Sequence, residues 1–457
     1  MEIVVLAEPS HTPSTALVAR RTVLIASLAG AVTVAEWGFF TDRGSAVAFA
    51  RLDTKPLFSS TVGFSSLSTR ELALNHRDVV AGSRTLAQSV VRHELVARER
   101  RWLEALAPWT RSGPHAELIQ AAYLDLFVLS VGLPAPVAGW SPSWRYVWPR
   151  DTAHIAVAFA QAGNVSGALE CLRFLARVPR TEQGWFQARY TLDGRSTPDN
   201  RPAQFDGLGW VAWALREVSE RVDWSAAGVT RSDFLAEFAP LITGICDDTV
   251  SAVAAAGGTA PVSPDYWEKR EKTLTLGTIA PTLAGLTALI PLLDDLGDAM
   301  RSRAAALAAE QVTTSILRDF APNGYPRYAG GDTIDAAAAF LLPPYVGDFP
   351  DEAGVRSALT RAWEVLGQPA GGITPGQGWE PDGVSWTPET AVFALVDASS
   401  PDSATRARAR KTVEWLGANR TLSGSYPEKL LADGSPSAVA PLAWTAACVA
   451  LAAYELR

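Results

Sequence analysis

Three aromatic rings, two guanidinium groups and a carboxylate fall within eight residues at Trp144-Arg145-Tyr146-Val147-Trp148-Pro149-Arg150-Asp151. Aromatic faces suit the apolar C-H face of a pyranose, and Arg and Asp supply the fixed donors and acceptors that neighbouring hydroxyls need. An amphipathic loop with one Arg-Asp ion pair would use the same residues, so the stretch by itself leaves both readings open. Two carboxylates in similar company lie far downstream, in Pro264-Asp265-Tyr266-Trp267-Glu268-Lys269-Arg270 and in Ser425-Tyr426-Pro427-Glu428-Lys429. Acetal hydrolysis needs such a pair, one protonated to serve the leaving oxygen and one ionised to assist water or attack. Tyr266 and Trp267 could desolvate Glu268 and favour its proton, with Lys269 and Arg270 opposing that if they turn inward. A capping or salt-bridged Glu is the alternative for Glu268. Glu380 and Glu389, on another long aromatic stretch, compete for the second role.

With Gln204-Phe205-Asp206-Gly207-Leu208-Gly209-Trp210 between them, these segments occur in an order that resembles glycoside hydrolase family 15, the glucoamylase-like inverting glucosidases. The resemblance runs from about Pro136 to the C-terminus. It implies an (α/α)6 barrel and an exo-acting, inverting α-glucosidase that releases glucose from non-reducing ends. Glu268 would be the general acid and Glu428 the general base. Arg150, Asp151, Tyr146 and Trp148 would hold the glucose whose bond is cut, Trp267 would flank the first leaving-side subsite, and Arg327, Trp144 and Asp206 would lie near the substrate. Two positions depart from the family. Trp144 stands where a Tyr hydroxyl commonly points at the reacting water, and Lys429 stands where Gln usually follows the base. Family members cut α-1,4, α-1,6 or α,α-1,1 linkages, so the resemblance leaves the linkage open.

The chain has 457 residues, 48% of them hydrophobic, enough for a large core. A net charge of -8 without a Lys/Arg-rich block excludes the clustered cations that a nucleic-acid partner requires. Sixteen Trp fit either carbohydrate binding or a large helical core. Cys171, Cys246 and Cys448 are odd in number, widely spaced and set in apolar helical contexts, so they read as core thiols, and no metal or cofactor is called for. A binding protein that has kept a sugar pocket without turnover is a rival reading. A weaker one is a magnesium-dependent, terpene-cyclase-like enzyme, from the DDxxD spacing of Asp294, Asp295 and Asp298, although Gly297 marks that segment as a helix end.

To position such residues, the sequence predicts an all-α chain, an (α/α)6 barrel behind a short irregular or strand-containing N-terminal region. Residues 1–40 resemble a twin-arginine signal or an anchor, with Arg20-Arg21 before an apolar run from Thr22 to Ala35. Export or membrane anchoring is the expectation, a cytoplasmic protein with a buried strand pair there the alternative. Residues 41–83 read as irregular, and 84–457 as the catalytic barrel. Spacing at three and four predicts helices over 84–106, 115–131, 150–162, 165–177, 206–220, 231–256, 277–294, 298–319, 332–342, 351–366, 387–398, 402–418 and 440–455. Short connections alternate with long Gly/Pro/aromatic ones at 179–205, 258–276, 367–386 and 419–439, as helix hairpins in a ring would require, with function gathered on the long side.

Overall fold

The computed structural model describes residues 62–73 and 78–457. The expected signal or anchor at 1–40, and most of the irregular region, lie outside the described residues.

Val62–Phe64 (β1) and Arg70–Leu72 (β2) form an antiparallel hairpin, followed by twelve α-helices. These are Arg92–Ala105 (α1), Ala116–Ser130 (α2), Pro149–Gln161 (α3), Val165–Arg177 (α4), Asp206–Arg221 (α5), Arg231–Ala255 (α6), Leu276–Asp295 (α7) and Ala299–Asp319 (α8). Beyond them come Glu352–Val365 (α9), Thr387–Ala398 (α10), Ser403–Ala418 (α11) and Ala443–Glu455 (α12). A 3-10 helix, Ala336–Leu341, sits between α8 and α9. In order, α3, α5, α7, the 3-10 helix, α10 and α12 each pack on the next, and α12 returns to α3, which closes an inner ring. The intervening α2, α4, α6, α8, α9 and α11 lie outside it.

Sequence explains which helix goes where. Inner helices are apolar on every side because they have neighbours on every side. α3 buries Pro149 through Ala160 without a break, and α10 buries every residue. α7 is long and apolar enough to cross a membrane, yet most of it is buried inside the barrel. Outer helices bury one stripe, as α9 does with Val355, Ala358, Leu359 and Ala362. α2 is an outer helix buried almost throughout, because α1 and β1 cover its far side.

Two predicted helices are corrected. The one expected over 84–106 begins only at Arg92, because Thr85 and Leu86 pair with Phe64 and Val79 as bridges instead. The segment expected as a helix over 332–342 runs extended through Ile334, paired with Pro326, and turns only at 336–341 as a 3-10 helix. Asp335 caps it by accepting from the Ala337 amide, and Pro343-Pro344 blocks its extension by removing donors and restricting Leu342. The barrel wall is therefore short at this place.

The connections fall into two sets. Inner helices pass to outer ones through turns such as 162–164, 296–298 and 399–402, whereas every return to an inner N-terminus uses a longer segment: 131–148, 178–205, 256–275, 320–335, 366–386 and 419–442. All six inner N-termini and all the long segments share one end of the barrel.

Candidate active site

The inner N-termini gather the chemistry. Trp148 precedes Pro149, whose missing N–H and fixed φ suit the first position of α3, so Arg150 and Asp151 follow in that helix's first turn. Both are buried. Arg150 Nη2 meets Asp151 Oδ2 at 3.0 Å, and its guanidinium lies 4.2 Å from the ring centre of Trp444 on α12. A desolvated cation–π contact of this kind is worth about 2 kcal/mol. Beneath them His154 Nδ1 donates to the Arg150 carbonyl (2.8 Å), so Nε2 of the neutral ring accepts from the Tyr345 hydroxyl (3.0 Å). Burial pushes its imidazole down to about 3, so this floor residue is neutral.

The clamp stretch ahead of α3 folds back as a turn. Ala138 N donates to the Tyr146 carbonyl at 3.0 Å and Gly139 N to that of Trp144 at 3.1 Å. A Cβ on Gly139 would stand 2.5 Å from Val439, so glycine lets this turn lie against the segment before α12. Tyr146 and Trp148 both face the guanidinium of Arg189, at 4.5 and 5.0 Å from their ring centres.

Glu268 sits in the segment before α7 with φ +56°, a left-handed backbone that is uncommon for a residue other than glycine and that clusters at functional sites. An Asx-type turn over-determines it: Asp265 Oδ1 accepts from the Trp267 amide (2.9 Å) and the Asp265 carbonyl from the Glu268 amide (2.8 Å). Its carboxyl takes two donors, Trp148 Nε1 at 2.7 Å on Oε1 and Arg201 Nη1 on Oε2. Arg201 also pairs with Asp199, which Arg189 holds from the other side. From the sequence, Lys269 and Arg270 would bear on Glu268 only if they turned inward. Lys269 instead lies over Trp379 at 3.9 Å, and the cation on Glu268 comes from the 178–205 segment. Arg189, Asp199 and Arg201 had no motif to mark them; the only signal was their place on a long loop.

Glu428 lies beside Lys429–Leu430 (β4), the middle strand between Ser385–Trp386 (β3) and Pro436–Ser437 (β5). Its amide donates to Val439 O at 2.9 Å and its carbonyl accepts from Thr387 N at 3.0 Å, which ties it to the N-terminus of α10. Trp144 Nε1 donates to Glu428 Oε1 at 3.0 Å. The indole that replaces the expected Tyr therefore addresses the carboxylate itself. Burial pushes the Glu428 carboxyl up; the Lys429 ammonium 3.8 Å from Oε2 and the indole N–H pull it down, and the charge of Glu268 pushes it up again. Burial lowers Lys429 in turn, against the attraction of Glu428.

The remaining predicted residues divide by what they touch. Asp206, in the first turn of α5, accepts from Trp210 Nε1 at 3.1 Å, and burial, opposed by Arg150 and reinforced by Asp265, pushes it up to about 7. Asp151 rises to about 6, chiefly through burial against the pull of Arg150. Arg327 is enclosed by carboxylates, bonding Asp335 (3.0 Å), Asp265 (3.1 Å) and Glu271 (2.7 Å), with Trp267 stacked 3.5 Å above it. It braces Trp267 and Asp265 from behind. Of the rival second carboxyls, Glu380 is exposed and Glu389 is buried in the first turn of α10. Asp295 pairs with Arg231, and Asp298 caps α8 and pairs with Arg301, so the DDxxD spacing belongs to the turn between α7 and α8. Among the described residues no group of three His, Cys, Asp or Glu could hold a metal ion.

Several buried polar atoms at this end have no hydrogen-bond partner in the protein: Arg150 Nε and Nη1, Asp206 Oδ1, Glu389 Oε2 and Glu428 Oε2. Leaving such groups unmet costs about 1–3 kcal/mol each, so they mark a surface made for a polar ligand.

No protein-family profile and no curated protein matches this chain. Solved structures do. A wild-type glycosidase matches with a TM-score of 0.60 at 19% identity, over 76% of this chain and 99% of its own. A bacterial glucoamylase complexed with acarbose gives 0.65 at 16% identity over 80% and 58%, and the glucoamylase of Hormoconis resinae 0.56 at 15% over 79% and 73%. The chain has the glucoamylase fold. The glucoamylase-type barrel is the ring traced above, with its inner N-termini and long connections at one end.

Proposed function

We propose that the chain is a glycoside hydrolase of the family 15 type, an exo-acting α-glucosidase that inverts the anomeric centre. The observation that carries this is the convergence of Glu268, Glu428 and the unpartnered polar atoms of Arg150 and Asp206 among Trp144, Trp148 and Trp267. Arg150 has donors left to give and Asp206 an oxygen left to accept, as a ring of sugar hydroxyls requires. The fold it shares with a glycosidase solved with glucose and a glucoamylase solved with acarbose supports the same substrate class.

Glu268 protonates the glycosidic oxygen as it leaves. Its Oε2 must exchange Arg201 for that oxygen, while Trp148 keeps Oε1 fixed. Glu428 takes a proton from the attacking water, and the indole of Trp144 holds the base in register. Arg150 and Asp151 bind the outer hydroxyls. Inversion requires the two carboxyls to lie about 6.5–9.5 Å apart, leaving room for that water.

The test is glucose release from maltose, isomaltose, trehalose and dextrin, with the first-formed anomer followed by NMR and Glu268→Gln run in parallel. β-Glucose from one of the four, reduced at least about 100-fold in the variant, is expected. α-Glucose as first product would replace inversion by retention, and no release from any of them would remove the assignment.

A further inference from the structure

Glu389 is the third residue of α10, behind Thr387 and Pro388. A carboxylate in a first helical turn is ordinarily favoured by the free amides and the helix dipole, by about 0.3–1 kcal/mol when exposed. Here the side chain is 5% exposed and its Oε2 has no partner. The neighbouring carboxyls each have a side-chain donor on at least one oxygen, although Glu428 Oε2, like Glu389 Oε2, accepts no hydrogen bond. Glu268 has Arg201 and Trp148, Glu428 has Trp144 and Lys429, and Asp335 has Arg327 and the hydroxyl of Tyr266. Arg150 of α3 acts on Glu389 through its charge, and no hydrogen bond joins them. The groups whose charges act on it from the surrounding elements are Arg150 of α3, Glu428 and Lys429 of the base segment, Asp335 before the 3-10 helix, Tyr266 of the acid segment and Cys448 of α12. Glu389 thus sits among the sugar-facing groups, within the electrostatic reach of Arg150 and of Glu428, with a hydrogen-bonding atom left over.

We propose that Glu389 is a sugar-contact residue, whose Oε2 bonds directly to one hydroxyl of the pyranose seated on Arg150. This rests on the carbohydrate reading and deepens it. Burial, with Glu428 and Asp335 adding to it against Arg150, pushes the carboxyl up to about 8, so below that pH it carries its proton. Arg150 can only donate and an ionised Glu428 can only accept, whereas a protonated carboxyl does either. It can therefore complete the bonding of a hydroxyl that one of those two has already engaged. A buried group of this kind discriminates strongly, because a ligand lacking the hydroxyl leaves it unpaired again.

The experiment is binding of glucose and of 2-, 3-, 4- and 6-deoxyglucose at pH 6, read by tryptophan fluorescence, for the wild type, Glu389→Ala and Glu389→Gln. Glu389→Ala is expected to weaken glucose and three of the deoxy sugars about tenfold and to leave unchanged the fourth, the one without the partner hydroxyl. Glu389→Gln, which keeps a donor and an acceptor, should restore most of the loss. The wild type should weaken between pH 7 and 9 while Glu389→Gln stays level. Equal weakening of all five sugars, or no weakening, would overturn the contact while leaving the glucosidase reading intact. A wild type that binds none of them would overturn that reading, and the contact with it.

Discussion

Trp148 Nε1 donates a 2.7 Å hydrogen bond to Glu268 Oε1, joining residues 120 apart in sequence. One is the last residue before α3 and the other lies on a left-handed backbone before α7, so the bond ties two inner helices at the mouth of the ring. Trp144 repeats the device on Glu428. Each of the two proposed catalytic carboxyls is thus oriented by an indole from one short clamp.

Trp148→Phe keeps the ring and removes the donor. Hydrogen bonds to a charged group are worth about 1.5–3 kcal/mol, so kcat should fall about 10- to 100-fold with a smaller change in KM. With α-glucosyl fluoride, whose leaving group needs no proton, the variant should lose much less. An equal loss on both substrates would detach Trp148 from the acid step.

Lys429→Gln removes the cation that lowers the Glu428 carboxyl. A base works only when ionised, so raising its pKa moves the acidic limb of kcat/KM to higher pH. The profile between pH 4 and 8 measures this, and a limb that stays in place would exclude Glu428 as the group titrating there.

Asp151, Asp206 and Glu389 rise from ordinary values of 3.8, 3.8 and 4.5 to about 6, 7 and 8. The folded chain therefore holds protons that the unfolded chain gives up between pH 4 and 8. Stability from these groups is complete near pH 4 and is lost as pH rises through the folded values, by up to about 1.4 kcal/mol per pH unit for each group in its window. Thermal unfolding from pH 4.5 to 8.5 should show a declining midpoint, shallower in Glu389→Gln.

Arg84 is wholly buried, bonds Asp125 at 2.6 Å and donates to Gly424 O at 2.9 Å, while Asp125 accepts from Tyr426 N at 2.8 Å, two residues before Glu428. Arg84→Ala leaves an uncompensated carboxylate under the base segment. About 3–5 kcal/mol should be lost in denaturant unfolding, and a loss below about 1 kcal/mol would show that the site relaxes.

Helices with strong periodicity were legible: α10 lies at 387–398, where the spacing puts it. The 332–342 prediction failed because its alanines satisfy any helical template, and only Asp335 and the proline pair decide how the backbone turns. Glu268, Glu428 and the clamp stood out because aromatic residues surround them. Arg201 did not, since its bond to Glu268 spans 67 residues and depends on the path of a loop without periodicity. Nor could any local pattern show that Trp144 would address Glu428 across 284 residues.

The ring closes by bringing α12, the last helix, against α3, the first inner one. A ribosome therefore releases Glu268, the clamp and most of the barrel before the segment carrying Glu428 exists. Contacts of such sequence separation carry a high loop-closure cost and form late. Until residues 428–444 have been added, Arg150 lacks the Trp444 face beneath it and Trp144 lacks its carboxylate. The proposed pocket is finished by the same event that closes the ring, so site and core are completed together.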